Sequence, residues 1–262
     1  MIFENAIQAW RQRCPWREQR HVEQDLILHS MLTLIYSDPI IAEKLAFRGG
    51  TCLNKLYLDR PFRYSEDLDF VQIKAEPIGP IAERIKIKLT EIFSDKPQWE
   101  AKKGGFKIFF SFLPEDSPYK QKIKIEINTR EHLAVKGFVK KKIVLDSLWR
   151  SGEADVTTFV LEELLATKLR ALYQRKKGRD LFDLWVSQKL EPDYKEVVAI
   201  FGAYMKNEGH RVSREQFMEN LQNKMQLPQF LNDMAPLIRP GTGYDPKHAW
   251  KFVLGKLLSL LA

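Results

Sequence analysis

The sequence predicts an α/β fold of the α+β kind: a mixed sheet with flanking helices over residues 1–150, followed by a helical domain over residues 151–262. Three observations carry that prediction. Strand-length segments with period-two alternation recur up to Asn128, with helical segments between them. Beyond about Asp155 the pattern shifts to helices. At 262 residues, 44% of them hydrophobic, the chain can bury one large core or two moderate ones.

The elements follow in order. From Val22 to Tyr36 the residues Leu26, Ile27, Met31, Leu32 and Ile35 have helical spacing, and Ser37-Asp38-Pro39 supplies a stop and a new start. Leu45 to Arg48 reads as a short strand that runs into Gly49-Gly50 and a helix start at Thr51. Residues Asp67 to Phe70 read as a second strand, and Gly79-Pro80 opens a helix from Ile81 to Phe93. Two more strands are expected, Phe106 to Leu113 and Ile123 to Asn128, with Pro114, Asp116 and Pro118 in the loop between them. A domain boundary is placed near Ser151-Gly152. Past it, Leu161 to Gln174 has acids at its start and Arg175-Lys176-Lys177-Gly178 at its end, the polarity that a helix dipole favours. Asp180 and Asp183 share one face of the next helix. Four further helical patterns from Asp193 onward are broken at Gly209, at Pro228 and at the Arg239-Pro240-Gly241-Thr242-Gly243 turn.

The stretch from Phe47 to Phe70 carries the chemistry. Gly49-Gly50 ahead of a helix reads alone as a tight turn or as a cradle, where unpaired N–H groups and the helix dipole favour a phosphate. Asp67 and Asp69 alternate with Leu68 and Phe70, so a strand puts both carboxylates on one face. Alone, such a pair reads as the wet face of an edge strand. Neighbouring carboxylates repel, and a divalent cation with oxygen preference relieves them, Mg²⁺ typically or Mn²⁺. A phosphate cradle followed by a metal-binding acidic pair suggests phosphoryl or nucleotidyl transfer.

With these strings in view, RGGTCLNKLY, RYSEDLDF and the distal KLRALYQRKKGRDLFDL, the chain resembles the AbiEii toxins. These belong to the polymerase-beta-like nucleotidyltransferases and are close to the MenT toxins. The resemblance spans roughly Val22 to Trp185. It implies an Mg²⁺-dependent enzyme with its active site between the two domains, moving a nucleotide from an NTP to an RNA acceptor, with the 3′ end of tRNA expected. It implies further that Asp67 and Asp69 hold the metal and that Gly49, Gly50, Thr51 and Ser65 bind the nucleotide. Glu126, at the position of the family's third carboxylate, would bind metal or help deprotonate the acceptor hydroxyl; read without the family, it is a surface ion-pair partner. Lys168 would contact the phosphates, with Arg179, Asp180 and Asp183 on the nucleotide side. The biological role implied is a growth-arresting toxin of a toxin–antitoxin or phage-defence system, held by a cognate antitoxin.

Bulk composition sets the remaining expectations. The formal net charge of +8 favours a polyanionic partner. Basic clusters at Lys102 to Lys107, Lys120 to Lys124 and Lys136 to Lys142 lie beside Phe106, Phe109, Tyr119 and Phe138, and each reads as a solvated face or, taken together, as a nucleic-acid track that includes Lys122 and Lys124. The two cysteines, Cys14 and Cys52, lack ligand spacing and point to a reducing compartment. No window of about 18 apolar residues occurs, so a cytoplasmic protein without a membrane partner is expected. Two rival activities stay open: transfer of the nucleotide to a protein or small molecule, and a silent RNA- or partner-binding module.

Overall fold

Period-two alternation builds a mixed sheet in the computed structural model, which describes residues 2–102 and 104–261. Lys103, inside one of the expected basic clusters, lies outside the described residues. The first unit comprises Met1–Leu133 and Phe138–Phe159. Helices α1 (Glu4–Arg11), α2 (Gln19–Tyr36) and α3 (Pro39–Lys44) precede β1 (Leu45–Arg48). A short α4 (Gly49–Cys52) continues into a π turn over Leu53–Tyr57 and is followed by β2 (Asp67–Gln72) and α5 (Gly79–Leu89). Five strands complete the unit: β3 (Gln98–Lys102), β4 (Gly105–Phe112), β5 (Gln121–Asn128), β6 (Phe138–Asp146) and β7 (Ser151–Phe159).

Among the described residues the sheet order is β3-β4-β5-β2-β1-β7-β6. Pairings β2/β5 and β1/β7 are parallel, and the others are antiparallel. In β5, Ile123, Ile125 and Ile127 are fully buried while Lys122, Lys124, Glu126 and Asn128 take the other face. Helix α2 is buried along almost its whole length, because it packs against β6, β7, α1 and α5. Asp38 begins α3 as expected, its Oδ1 accepting from the backbone N–H groups of Ile40 and Ile41, with Pro39 in the first turn.

The second unit comprises Ala134–Gly137 and Val160–Ala262. It holds α6 (Leu161–Gln174), α7 (Gly178–Val186), α8 (Tyr194–Asn207), α9 (Arg214–Met225), α10 (Pro228–Leu231) and α11 (Pro246–Lys256). Buried Glu163 accepts from the backbone N–H groups of Val135 (2.6 Å) and Lys136 (2.8 Å) and from the Tyr204 hydroxyl (2.8 Å), which ties the short 134–137 segment to the helices.

Three strands escaped the sequence reading: β3, β6 and β7. The reason is composition, since β3 is exposed along its whole length and β6 and β7 are polar over their outer halves, leaving no apolar alternation to read. The first helix past them spans Leu161–Gln174, as the sequence predicts. Among the described residues no helix is long and apolar enough to cross a membrane, and Cys14 and Cys52 are buried free thiols.

Candidate active site

Register brings the carboxylates together. In the parallel β2/β5 pair Asp67 stands opposite Lys124 and Asp69 opposite Glu126, all on the face away from the isoleucines. On the other side of β2, Arg48 of β1 pairs with Asp69, so the chain leaves β1 directly beside that aspartate and turns at Gly49. Gly49 has φ +83°, and a Cβ there would lie 2.6 Å from Asp69 Oδ2. Glycine is therefore needed twice over, for the left-handed backbone and for the room that the carboxylate occupies. The following turn is held to β2 by Thr51, whose buried hydroxyl donates to the Asp67 carbonyl (2.8 Å). Gly50 is buried, and its carbonyl accepts from the Asn54 side chain (2.9 Å).

Lys124 sits among the acids. Its ammonium lies 3.1 Å from Asp67 Oδ2 and 2.7 Å from Glu126 Oε2, and Lys107 approaches Glu126 Oε1 at 3.6 Å. Burial works against the charge of Lys124, but the hydrogen bond to Glu126 and the attraction of Asp67 outweigh it and raise its pKa. The alternating lysines of β5 thus have different tasks. Lys124, expected to face RNA, bridges carboxylates, whereas Lys122 donates to the neutral Gln98 amide (3.1 Å) and lies over the Phe109 ring. Several of the other basic residues have acidic partners. Lys102 pairs with Glu100, Lys120 with Asp95, Lys142 with Glu153 and, in the helical unit, Lys136 with Glu196.

Ser65 is buried. Its hydroxyl accepts from Arg63 Nη1 (3.0 Å), and it lines a cavity of about 40 Å³ with Thr51, Asn54, Lys55 and Arg63. In its lining Lys55 forms a buried ion pair with Asp25 (3.1 Å), which also accepts from Trp10 Nε1 and Cys14 Sγ. Burial pushes the Asp25 pKa up, but Lys55 and these hydrogen bonds bring it below the ordinary value, so the carboxylate stays ionised.

The helical unit holds a second ionic cluster. Lys168 on α6 is buried, its ammonium 2.7 Å from Asp183 Oδ2 and 3.4 Å from Asp180 Oδ1. Both aspartates, three residues apart on α7, are fully buried. Arg175, which sequence reading did not single out, forks onto Asp180 with Nε at 2.6 Å and Nη2 at 2.7 Å. Spacing gave no signal for it, because Arg175 lies just past the end of α6 in extended backbone. Arg179 turns instead to Asp233, which accepts from its backbone N–H (2.9 Å) and lies 3.5 Å from its Nε.

The donor set of the acidic face suits a hard cation. Carboxylate oxygens are the ligands that Mg²⁺ prefers, and a lysine ammonium already bridges two of the three acids. Asp67, Asp69 and Glu126 share one face, yet among the described residues no three acidic, histidine or cysteine side chains converge into a ready-made metal cluster. Lys124 engages both Asp67 and Glu126, and Lys107 approaches Glu126 as well.

Comparison with known proteins bears on the fold and the family. Among solved structures the chain is similar to JHP933 from Helicobacter pylori, at 17% identity over 93% of this chain and 92% of that one, with a TM-score of 0.56. It is similar also to MenT4, a nucleotidyltransferase toxin from Mycobacterium tuberculosis H37Rv, at 15% identity over 97% of this chain and 88% of that one, with a TM-score of 0.58. At such identities these likenesses speak to the fold. No curated protein matches the chain. The family model described as nucleotidyl transferase AbiEii toxin, Type IV TA system, matches residues 32–256, which takes in the glycine turn, the acidic face and the Lys168 cluster. The chain belongs to the AbiEii family of nucleotidyltransferase toxins.

Proposed function

We propose that the protein transfers a nucleotide from an NTP to the 3′ end of an RNA, with tRNA the expected acceptor, and that the transfer arrests growth unless a cognate antitoxin restrains it. The observation that carries this reading is the placing of Asp67 and Asp69 on one strand face, with Asp69 packed against the bare backbone of Gly49. Asp67 and Asp69 would hold Mg²⁺, with Glu126 as a third oxygen donor once Lys124 gives way. When bound, the metal supplies charge neutralisation for the triphosphate.

The chain's own residues do the rest. Backbone N–H groups at Gly49 and Gly50, where the short helix start carries no side-chain cap, hold phosphate oxygens together with Ser65. Lys168, its ammonium fixed by Asp183 and Asp180, neutralises charge on the leaving group, and Arg179 contributes to nucleotide binding. The acceptor oxygen bonds to the α-phosphorus, the bond to the bridging oxygen breaks, and pyrophosphate departs with the electron pair. The hydroxyl proton passes to a carboxylate of the acidic face or to water.

Purified protein incubated with each labelled NTP, Mg²⁺ and deproteinised RNA tests the reading. Label in RNA that requires Asp67 is expected. Label confined to protein bands or small molecules would replace the acceptor, and no label with RNA still bound would leave a binding module.

A further inference from the structure

Beside Asp67 the sheet unit holds an open cavity of about 490 Å³ that the residues discussed so far do not fill. Its volume is that of a small-ligand site. Arg20, His21 and Gln24 line one side from α2, and Lys122 and Lys124 line the other from β5. Strand β2 separates this cavity from the glycine turn, because β1, which leads into Gly49, pairs on one edge of β2 and β5 on the other. Attack at phosphorus places the incoming and leaving oxygens in line on opposite sides of it. With the triphosphate assigned to the glycine side, the acceptor must approach from the β5 side.

The lining suits a nucleotide at the end of a strand. The His21 ring stacks on Tyr64 with centroids 4.1 Å apart and planes 22° from parallel, and buried Tyr64 is braced in turn by the edge of Trp16. One face of the imidazole is thereby covered and the ring is held rigid for a second stacking partner. Burial lowers its pKa, so at neutral pH it is an uncharged aromatic surface. Arg20 Nε is shielded from solvent and has no hydrogen-bond partner among the described residues, while the head of the same guanidinium meets Glu18. An unanswered donor of that kind is the mark of a missing acceptor. The Gln24 amide nitrogen donates to the Glu66 carbonyl (2.9 Å), which fixes that side chain at the cavity wall.

We propose that this cavity receives the 3′-terminal nucleotide of the acceptor strand, with its base on His21, its phosphate between Arg20 and Lys122, and its hydroxyl toward Asp67. The inference rests on the proposed transfer to RNA and names the residues that would read its end.

The test uses the full chain and a short single-stranded oligoribonucleotide carrying 2-aminopurine at its 3′ terminus. Stacking on His21 quenches that fluorophore in the wild type; His21→Ala should abolish the quench and raise the acceptor KM roughly tenfold, and His21→Phe should restore both. Affinity for NTP, measured separately, should stay within twofold in either variant, and a melt checks that each is folded. Arg20→Ala provides an independent arm, with a raised acceptor KM and unchanged NTP affinity. RNA labelling by the wild type with an identical quench and KM in His21→Ala would overturn the pocket alone. Neither labelling nor quench in the wild type would overturn the RNA reading and the pocket with it. Loss of NTP affinity in both variants would give the cavity to the nucleotide instead.

Discussion

The two ionic clusters use the same residue types in opposite surroundings. On the acidic face Asp67, Lys124 and Glu126 keep 31%, 30% and 37% of their side-chain surface exposed. In the helical unit Lys168 keeps 5%, and Asp180 and Asp183 keep none. Open carboxylates are positioned by strand register and can exchange one cation for another at small cost, because water shares the load. Buried ones are positioned by the pairing itself, so removing one partner strands the other in a medium that cannot solvate it. The first cluster is built to accept something, and the second is built to stay as it is.

The widest gap between them should appear at Asp67 and Asp69. Replacing either, as Asp67→Ala or Asp69→Asn, is expected to lower nucleotide transfer by at least about 10³-fold, on the order of 4 kcal/mol of transition-state stabilisation. Stability should move by no more than about 0.5 kcal/mol, as for other partly exposed positions. Single-turnover transfer and a denaturant melt on the same sample measure both. Retained turnover in folded Asp67→Ala would remove the metal assignment.

At Lys168 and Asp183 function and stability should fall together. Asp183→Ala or Lys168→Met breaks a buried pair and is expected to cost about 3–5 kcal/mol of stability. The double variant Lys168→Met/Asp183→Leu should recover much of that loss without recovering transfer. A Lys168→Met protein as stable as wild type would show that the buried cluster is not held by its charges and would erase the contrast drawn above.

This contrast also explains what could be read from the sequence. Asp67 and Asp69 alternate with buried Leu68 and Phe70, and β5 alternates lysine and glutamate with isoleucine, so period two announced both strands and the shared face. The helical assignments of α6 and α7 were equally legible from spacing and end charges. Burial was not. Lys168 looks in sequence like any exposed helical lysine, and only packing shows it enclosed. Lys124 and Lys122 are indistinguishable as neighbours in a pattern, yet one faces Asp67 across a parallel pairing that the sequence does not specify. Nor does the sequence show which lysines are paired across the sheet, as Lys120 is with Asp95. Strands β6 and β7 were missed because β6 carries three consecutive lysines and β7 opens on Ser151-Gly152-Glu153, which breaks the apolar alternation.

Gly49 sharpens the comparison from the backbone side. A Gly49→Ala change places a side chain at φ +83° and within 2.6 Å of Asp69 Oδ2. The left-handed conformation alone costs about 1–2 kcal/mol, and the carboxylate must move as well. A loss of stability of that order is expected, with a larger loss of transfer than the stability change accounts for. If Gly49→Ala lowered stability but left transfer intact, the close approach to Asp69 would be a matter of packing only.

The smallest effect should come from Arg175, the one member of the buried cluster that reaches solvent, with 52% of its side chain exposed. Its guanidinium occupies both oxygens of Asp180, so Lys168 is left to lean on Asp183, at 2.7 Å against 3.4 Å. Because half of the group is wet, solvent screening discounts the pair, and Arg175→Ala is expected to cost about 1 kcal/mol. The buried charge of Asp180 is not abandoned, since the Lys168 ammonium can swing toward it. That swing is the measurable consequence: Lys168 would be drawn off its Asp183 position, and the KM for NTP should rise a few-fold while the melt barely moves. Arg175→Lys should restore stability but not KM, because a point ammonium cannot engage both oxygens as the fork does. A destabilisation of about 3 kcal/mol or more for Arg175→Ala would mean that Lys168 cannot compensate Asp180, and that the exposed arginine is as much part of the buried cluster as the lysine within it.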